Sequence, residues 1–458
     1  MTSDGFAVYV GDIIQRMDPG FAKGALLVQE RLHQAKYPLV SLGELAQDIQ
    51  YGTSQRADVT PIGTPILRMS NLQDDGIDLS DLKYVTLAKK EIDRYRLEPG
   101  DLLFNRTNSK ELVGKCAVFN APNEYVFASY LLRVRIDPSV ADPWFIATFI
   151  NSPTGRLQID TVSRQIIGMA NVNTGELKRL RIPLPPLPVQ RELASDAAGT
   201  WHSSVRFITE ADSLETSVGT MIDGAAGMSK VPIDPPRTYA ISLAAIQGRR
   251  LDALSYRRPA QLDSDITFAP LGTLATLGGA KPQIMPDETG TVPYVGLPEC
   301  DQTRVVNVLR RPLNSITGRR VARPGDILFA RIEPSIFNKK YIWLGDIGEP
   351  EIYTSGEFHI LTPKVDLVSN SYLYACLFSA TVFSQVQGKT TGSSGRRRLH
   401  SSLLETVQVP LPARTTQEEL GRNVLLAQQR ARDLRERARI EWDAAKLDME
   451  LQLFEEKL

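Results

Sequence analysis

Two stretches of the chain carry the helical period most plainly. From Leu420 the apolar positions Leu420, Val424, Ala427, Ala431, Leu434 and Ala438 step by four and three in turn, which is the seam of one helix against another. Trp442, Ala445, Met449 and Leu453 carry the seam on after one stutter. Leu193, Ala197, Trp201, Ser204, Ile208, Ala211, Val218 and Ala225 form an earlier, looser stripe that runs to a GAAGM break and contains Gly199 and Gly219. At 1.5 Å of rise per residue each helix would reach roughly 55 to 60 Å, so both read as spacers rather than core elements. Elsewhere the apolar runs are short. PGDLLFNR from Pro99 and PGDILFAR from Pro324 predict a tight turn feeding a buried strand, with Pro presetting one φ and Gly taking a positive one. WFIATFI from Trp144 and YLYACLF from Tyr372 fit either a short helix or a buried strand.

These runs recur in order when the chain is slid on itself by 225 to 229 residues, the signature of an internal repeat. Leu42-Gly43-Glu44-Leu45-Ala46 falls on Leu271-Gly272-Thr273-Leu274-Ala275, and the two Pro-Gly-Asp turns coincide. ASYLLRVRIDP from Ala128 meets TSGEFHILTPK from Thr354, Trp144 onward meets Tyr372 onward, and Gly168 meets Gly395. IPLPPLPVQREL from Ile182 meets VPLPARTTQEEL from Val409 at an offset of 227, and a weaker match sets Arg16 near Arg250. The P-L-P steps cannot continue a helix or donate to a ladder, so each marks an extended exit from a globular part into a helix. The expected organisation is a domain over 1–186, a long helix over 187–228, a linker over 229–236, a second domain over 237–412 and a second helix over 413–458. The expected fold class is α/β (α+β). Two like modules pair most naturally about a pseudo-two-fold axis, which makes the helices an antiparallel coiled coil with a domain at each end.

Composition limits the partners. Lys and Arg number 53 and so do Asp and Glu, so the net charge is zero, and any nucleic-acid surface must be local. No stretch has the length of uncharged apolar sequence that a membrane span needs, and the N-terminus lacks a signal core, which points to a cytoplasmic protein. Cys116, Cys300 and Cys376 are odd in number and far apart, so they read as packing thiols rather than a disulfide or metal set.

The local basic surface is in the second copy. GKTTGSSGRRRLH from Gly388 sets Lys389, Thr390, Arg396, Arg397 and Arg398 in a loop of small residues, and RRVARPGDILFAR adds Arg319, Arg320, Arg323 and Arg331. Small residues let a backbone approach phosphates, and Arg can take a guanine edge with two hydrogen bonds. The bland reading is a solvated basic loop. At an offset of 227 the residues 168–173 lie opposite 395–400 with different side chains, as two readers of different base sequences would. Arg106 and Arg331 recur at the same strand end, as a phosphate clamp or an internal ion pair. Arg68, Lys110, Arg164, Gln165 and Asn173 are the candidates in the first copy.

The chain resembles the specificity subunit of a Type I restriction-modification enzyme. The resemblance rests on the PGD-[LI]-LF-x-R turn and strand in each half, the loop after it, and the [IV]-P-L-P exit into Gln190-Arg191-Glu192-Leu193 and Gln417-Glu418-Glu419-Leu420. It implies two target-recognition domains, each reading half of a split asymmetric site in double-stranded DNA, held apart by the coiled coil. It also implies methyltransferase subunits, two of them, gripping the helices, and a motor-nuclease subunit that joins some such complexes. Leu193, Trp201, Ile208, Leu420, Val424, Leu434 and Trp442 are the expected partner-facing positions. The resemblance brings no catalytic residues.

Enzyme readings fail on the residues. Asp234-Pro235-Pro236-Arg237 has Arg where an amino-methyltransferase motif needs an aromatic ring, and no glycine-rich cofactor loop accompanies it. Gly388-Lys389-Thr390 ends like a phosphate-binding loop, but Phe383 stands where the first glycine belongs. His33, His202, His359 and His400 are scattered, so no metal set forms. Glu418 and Glu419 open a helix, where negative charge suits the dipole. No cofactor is expected. Two other readings stay open: a solitary specificity protein of a methylation-only or phage-defence system, and a tandem protein adaptor that does not touch DNA.

Overall fold

The structure, a computed structural model, describes residues 19–73, 76–109, 112–166, 169–225, 266–283, 285–317, 320–392 and 397–455. Arg16, Arg250, the linker 229–236 and Asp234 to Arg237 lie outside them. The chain divides into two units, one of Met1–Ile208 with Arg435–Leu458, the other of Thr209–Leu434.

Each Pro-Gly-Asp turn does what its residues dictate. Gly100 and Gly325 sit at φ of 94° and 96°, a region open to glycine. The following aspartate closes the turn: Asp101 Oδ2 accepts from the Glu98 N–H at 2.9 Å and Asp326 Oδ2 from the Arg323 N–H at 2.8 Å. The strands Leu102–Asn105 and Ile327–Ala330 that leave these turns are buried throughout.

In the first unit an antiparallel sheet runs in the order Ala46–Tyr51, Leu131–Ile136, Leu102–Asn105, Cys116–Val118. The second unit repeats that order with Ala275–Leu277, Phe358–Pro363, Ile327–Ala330 and Tyr341–Trp343. Even the register is kept. Leu131 faces Asn105, and Phe358 faces Ala330, so the offset passes from 225 on one strand to 227 on the next. This register moves one sequence match by a residue: Ala128 corresponds to Ser355 rather than Thr354, because the Ala128 N–H donates to Leu67 and the Ser355 N–H to Val295. A smaller sheet in each unit contains one parallel pair, Val126–Phe127 with Ile66–Leu67 and Tyr353–Thr354 with Tyr294–Val295.

The apolar runs left open between helix and strand are helices, Pro143–Asn151 and Asn370–Cys376. The first is started by Asp142, whose carboxylate accepts from the Trp144 and Phe145 N–H groups at 2.9 and 3.1 Å, and by Pro143 in the first turn. The P-L-P exits are extended as expected, but they do join ladders: Arg181–Pro183 pairs with Leu39–Ser41, and Gln408–Leu411 with Thr267–Pro270. Each of these sheets has two strands only, so a proline can spend its missing donor on the open side.

Both long helices are continuous, Leu187–Ala225 over 39 residues and Arg414–Leu453 over 40. Gly199 and Gly219 do not shorten the first. A Cβ at Gly219 would lie 2.8 Å from the Phe378 carbonyl oxygen, so glycine there permits a close approach. Gln190 and Gln417 fasten the helix starts: each side chain accepts from a main-chain N–H, of Asp142 or Ser369, and donates to the carbonyl of Pro185 or Pro412. Within each unit, helix segments run antiparallel. In the first, Ser204 Oγ donates to the Ala438 carbonyl at 3.1 Å and Arg437 lies 4.4 Å over the Phe207 ring. In the second, Arg430 pairs with Glu210 at 2.5 Å.

The first core gathers Phe104, Phe145, Phe149 and Leu193 with Met449, Leu453 and Phe454 from the end of the second long helix. The second gathers Phe329, Tyr372, Tyr374 and Val424 with Val218 and Ile222 from the end of the first. The three cysteines are free and buried, and burial pushes the Cys116 and Cys376 thiols up to about 12, as inert packing thiols require.

Candidate nucleic-acid interface

Arg106 and Arg331 follow the buried strands and are held alike. The Arg106 N–H donates to the Tyr130 carbonyl at 3.2 Å, its carbonyl accepts from Val172 at 2.9 Å, and its guanidinium reaches the Ser129 carbonyl at 3.5 Å. For Arg331 the same three partners are Glu357 at 2.9 Å, Leu399 at 2.8 Å and Gly356 at 3.3 Å. The Nε of each is buried with no hydrogen-bond partner among the described residues. Neither arginine is simply an internal ion pair: both brace the main chain. Arg106 also donates to Asn171 Oδ1 at 3.3 Å and lies 5.0 Å over the Tyr51 ring.

The loops across from these arginines also correspond. Asn171 bridges both Thr107 and Arg164 in the first unit, and Arg398 bridges both Ile332 and Thr391 in the second. In the second unit the loop is tied down by two carboxylates. Glu333 accepts from the Thr390 hydroxyl at 2.8 Å and lies 3.6 Å from the Arg397 guanidinium, which also donates to the Thr390 carbonyl at 3.0 Å. Glu357 takes Arg398 through Nε at 2.9 Å and a terminal nitrogen at 2.5 Å. That hydrogen-bonded pair, with the nearby charge of Arg331, holds the Glu357 carboxyl below its usual range. Lys389 is half-buried, and loss of water around it lowers its ammonium pKa. No carboxylate pairs with it among the described residues, which is the condition an incoming phosphate would relieve.

The structure thus brings together Arg331, Thr390, Arg397 and Arg398, though Thr390 is 2% exposed and its hydroxyl is committed to Glu333. In the first unit Arg106 stands beside the ladder that includes Arg164 and Gln165, placed on strand Arg164–Ile166 by their backbone. Arg68 is separate and paired with Asp81 at 2.9 Å. Asn173 caps the helix Thr174–Lys178 by accepting from the Glu176 N–H at 2.9 Å. Lys110, Arg319 and Arg396 lie outside the described residues, as do the side chains of Arg164 and Gln165. Sequence reading missed Glu333 and Glu357, the partners that position the loop; sliding the copies by 227 sets Glu357 on Tyr130, and that charge difference was the available signal.

The expected partner-facing residues are turned inward. Leu193 and Val424 belong to the two cores, and Trp442 is 8% exposed. Trp201 packs 5.9 Å from Trp144, and Leu420 lies against the second core; Ile208 and Leu434 are half-buried. A seam that closes within the chain leaves little of these side chains for another protein. The outward apolar positions of the second helix are Leu426, Ile440, Leu447 and Leu451, each more than two-fifths exposed.

These features define a duplicated α+β chain with long antiparallel helix segments and one arginine-braced edge per unit. Its relatives are specificity subunits of type I restriction enzymes. It is 30% identical over 178 residues to the MjaX specificity subunit of Methanocaldococcus jannaschii, itself assigned by inference, and 28% identical over 149 residues to the EcoKI specificity subunit of Escherichia coli strain K12. The matches cover 37% and 32% of this chain, and the chain spans 42% and 32% of the length of those relatives. No family model matches. Among solved structures, the Type I S subunit from M. genitalium aligns over 93% of this chain and 97% of its own at 14% identity, with a TM-score of 0.44. A chain from a type I restriction-modification assembly aligns over 91% of this chain and 96% of its own at 16% identity, with a TM-score of 0.40.

Proposed function

We propose that this chain is the DNA-specificity subunit of a Type I restriction-modification system, each unit reading one half of a split, asymmetric duplex site. The observation that carries this reading is the second-unit loop, where Arg331, Arg397 and Arg398 gather on one edge beside Lys389, which has no carboxylate partner among the described residues. A chain with no net charge thus concentrates cations on one edge, as a nucleic-acid surface requires. In this reading the long helices set the spacing of the two half-sites and dock methyltransferase subunits through outward positions such as Ile440 and Leu447, and a motor-nuclease subunit joins the complex. The chain itself contributes recognition rather than catalysis and works in the cytoplasm.

The test is fluorescence anisotropy on duplex DNA with the full chain and a purified methyltransferase partner. Changing Arg396, Arg397 and Arg398 together to Gln should weaken binding by several kcal/mol and flatten the salt slope by up to about three. An unchanged slope overturns the assignment of this loop to DNA.

A further inference from the structure

The two units share their support around Arg106 and Arg331 and differ in what that support presents. We propose that the residue pairs Tyr130 with Asn171 and Glu357 with Arg398 are the positions at which the units select different bases. This rests on the reading of the chain as a DNA-specificity subunit.

Each member of a pair is fixed by the shared arginine or its ladder. The carbonyls of Tyr130 and Glu357 receive the arginine N–H. Asn171 and Arg398 bridge Thr107 and Ile332 respectively, and the next residues, Val172 and Leu399, donate to the arginine carbonyl. Backbone anchors are therefore the same at both sites, while the side chains exchange an aromatic phenol for a carboxylate and an amide for a guanidinium. They also reach solvent: Tyr130 is 49% exposed and the Arg398 side chain 38%.

The shared frame does not require the difference: the first unit builds the same support around Arg106 without a counterpart of the Glu357–Arg398 pair. What the pair does is aim a guanidinium. Two hydrogen bonds to one carboxylate fix its plane, the preorganisation a bidentate contact to guanine requires. Asn171, oriented by Arg106 at 3.3 Å, offers the amide that pairs with the adenine edge. The second unit is thus assigned a guanine at this position and the first an adenine.

The experiment is selection from a pool of duplexes with a randomised core, using the full chain with its methyltransferase partner. Glu357→Tyr with Arg398→Asn should change one position in the half-site read by the second unit and leave the other half-site intact. Tyr130→Glu with Asn171→Arg should do the reverse. Arg398→Lys keeps the charge and guards against loss of folding; it should reduce the guanine preference at that position about tenfold. A parent chain that enriches a split motif, with both half-sites unchanged in all three variants, overturns the assignment of these pairs while leaving the proposed function standing. Loss of both half-sites in a variant that melts like the parent also overturns it. A parent that enriches no motif removes the proposed function itself.

Discussion

Gly100 and Gly325 show how a single residue type was readable from sequence. A Cβ at Gly100 would meet nothing within 4 Å, so only its φ of 94° opposes substitution. Gly100→Ala is expected to cost about 1 kcal/mol, read as a lower denaturation midpoint; no change would show that the turn is not held in this conformation. His359 was not readable in the same way. Burial lowers its pKa first of all, the hydrogen bond between Nε2 and the Leu399 carbonyl at 2.9 Å opposes this in part, and the nearby charges of Arg331 and His400 add to the lowering. A histidine whose folded pKa lies below its unfolded one makes the unfolded chain bind protons more readily, so stability falls as pH drops through the ordinary histidine range. The second unit should therefore melt at a lower temperature at about pH 5.5 than at about pH 7.5, and His359→Leu, the residue type the first copy carries as Leu132, should flatten that dependence. An equal pH dependence in the variant would assign the effect elsewhere.

At the scale of elements, the repeat was legible because its anchors are backbone requirements. A Pro-Gly-Asp turn, a proline exit and a glutamine that bridges two main-chain groups leave fixed letters at fixed spacing. What stayed hidden were contacts between distant parts of the chain. Glu450, 2% exposed, accepts from the Thr154 N–H and hydroxyl at 2.8 Å each and from Arg31 at 3.1 Å, so the end of the second long helix caps the helix Pro153–Val162 of the first unit. At the offset of 227, Asp223 on the first long helix does the same for the second unit, accepting from Ser379 Oγ at 2.6 Å and the Ala380 N–H at 3.0 Å. A periodic stripe reports that a helix has an apolar face, but not that its polar positions close a distant helix start. Glu450→Ala should destabilise the first unit by about 2 kcal/mol. Tryptophan fluorescence in denaturant can read this, because Trp144, Trp201 and Trp442 belong to that unit. An unshifted transition would contradict the capping role. The same limit explains the partner-facing residues: heptad spacing found the seam, but the seam is filled from within each unit.

Across the whole molecule, the duplication separates two kinds of residue. Positions that keep their role in both copies, such as Asp101 with Asp326, Gln158 with Gln385 and Arg106 with Arg331, build turns, ladders and braces. Positions that keep only their backbone setting carry different chemistry. Another case is Arg68, whose N–H donates to Asn71 as the Gly296 N–H donates to Glu299. The candidate interface was legible as a basic loop but not as a constructed edge, because its organising groups are a carboxylate at a helix start, another in a turn and a shared arginine after a strand, which the fold brings together. Two such edges are proposed to read two different half-sites. The decisive measurement is methylation mapping of a host genome that carries this gene together with a methyltransferase partner gene. One new motif made of two unlike halves with a fixed gap is expected; a single uninterrupted motif, or no new methylation from an active complex, would rule out two separate readers.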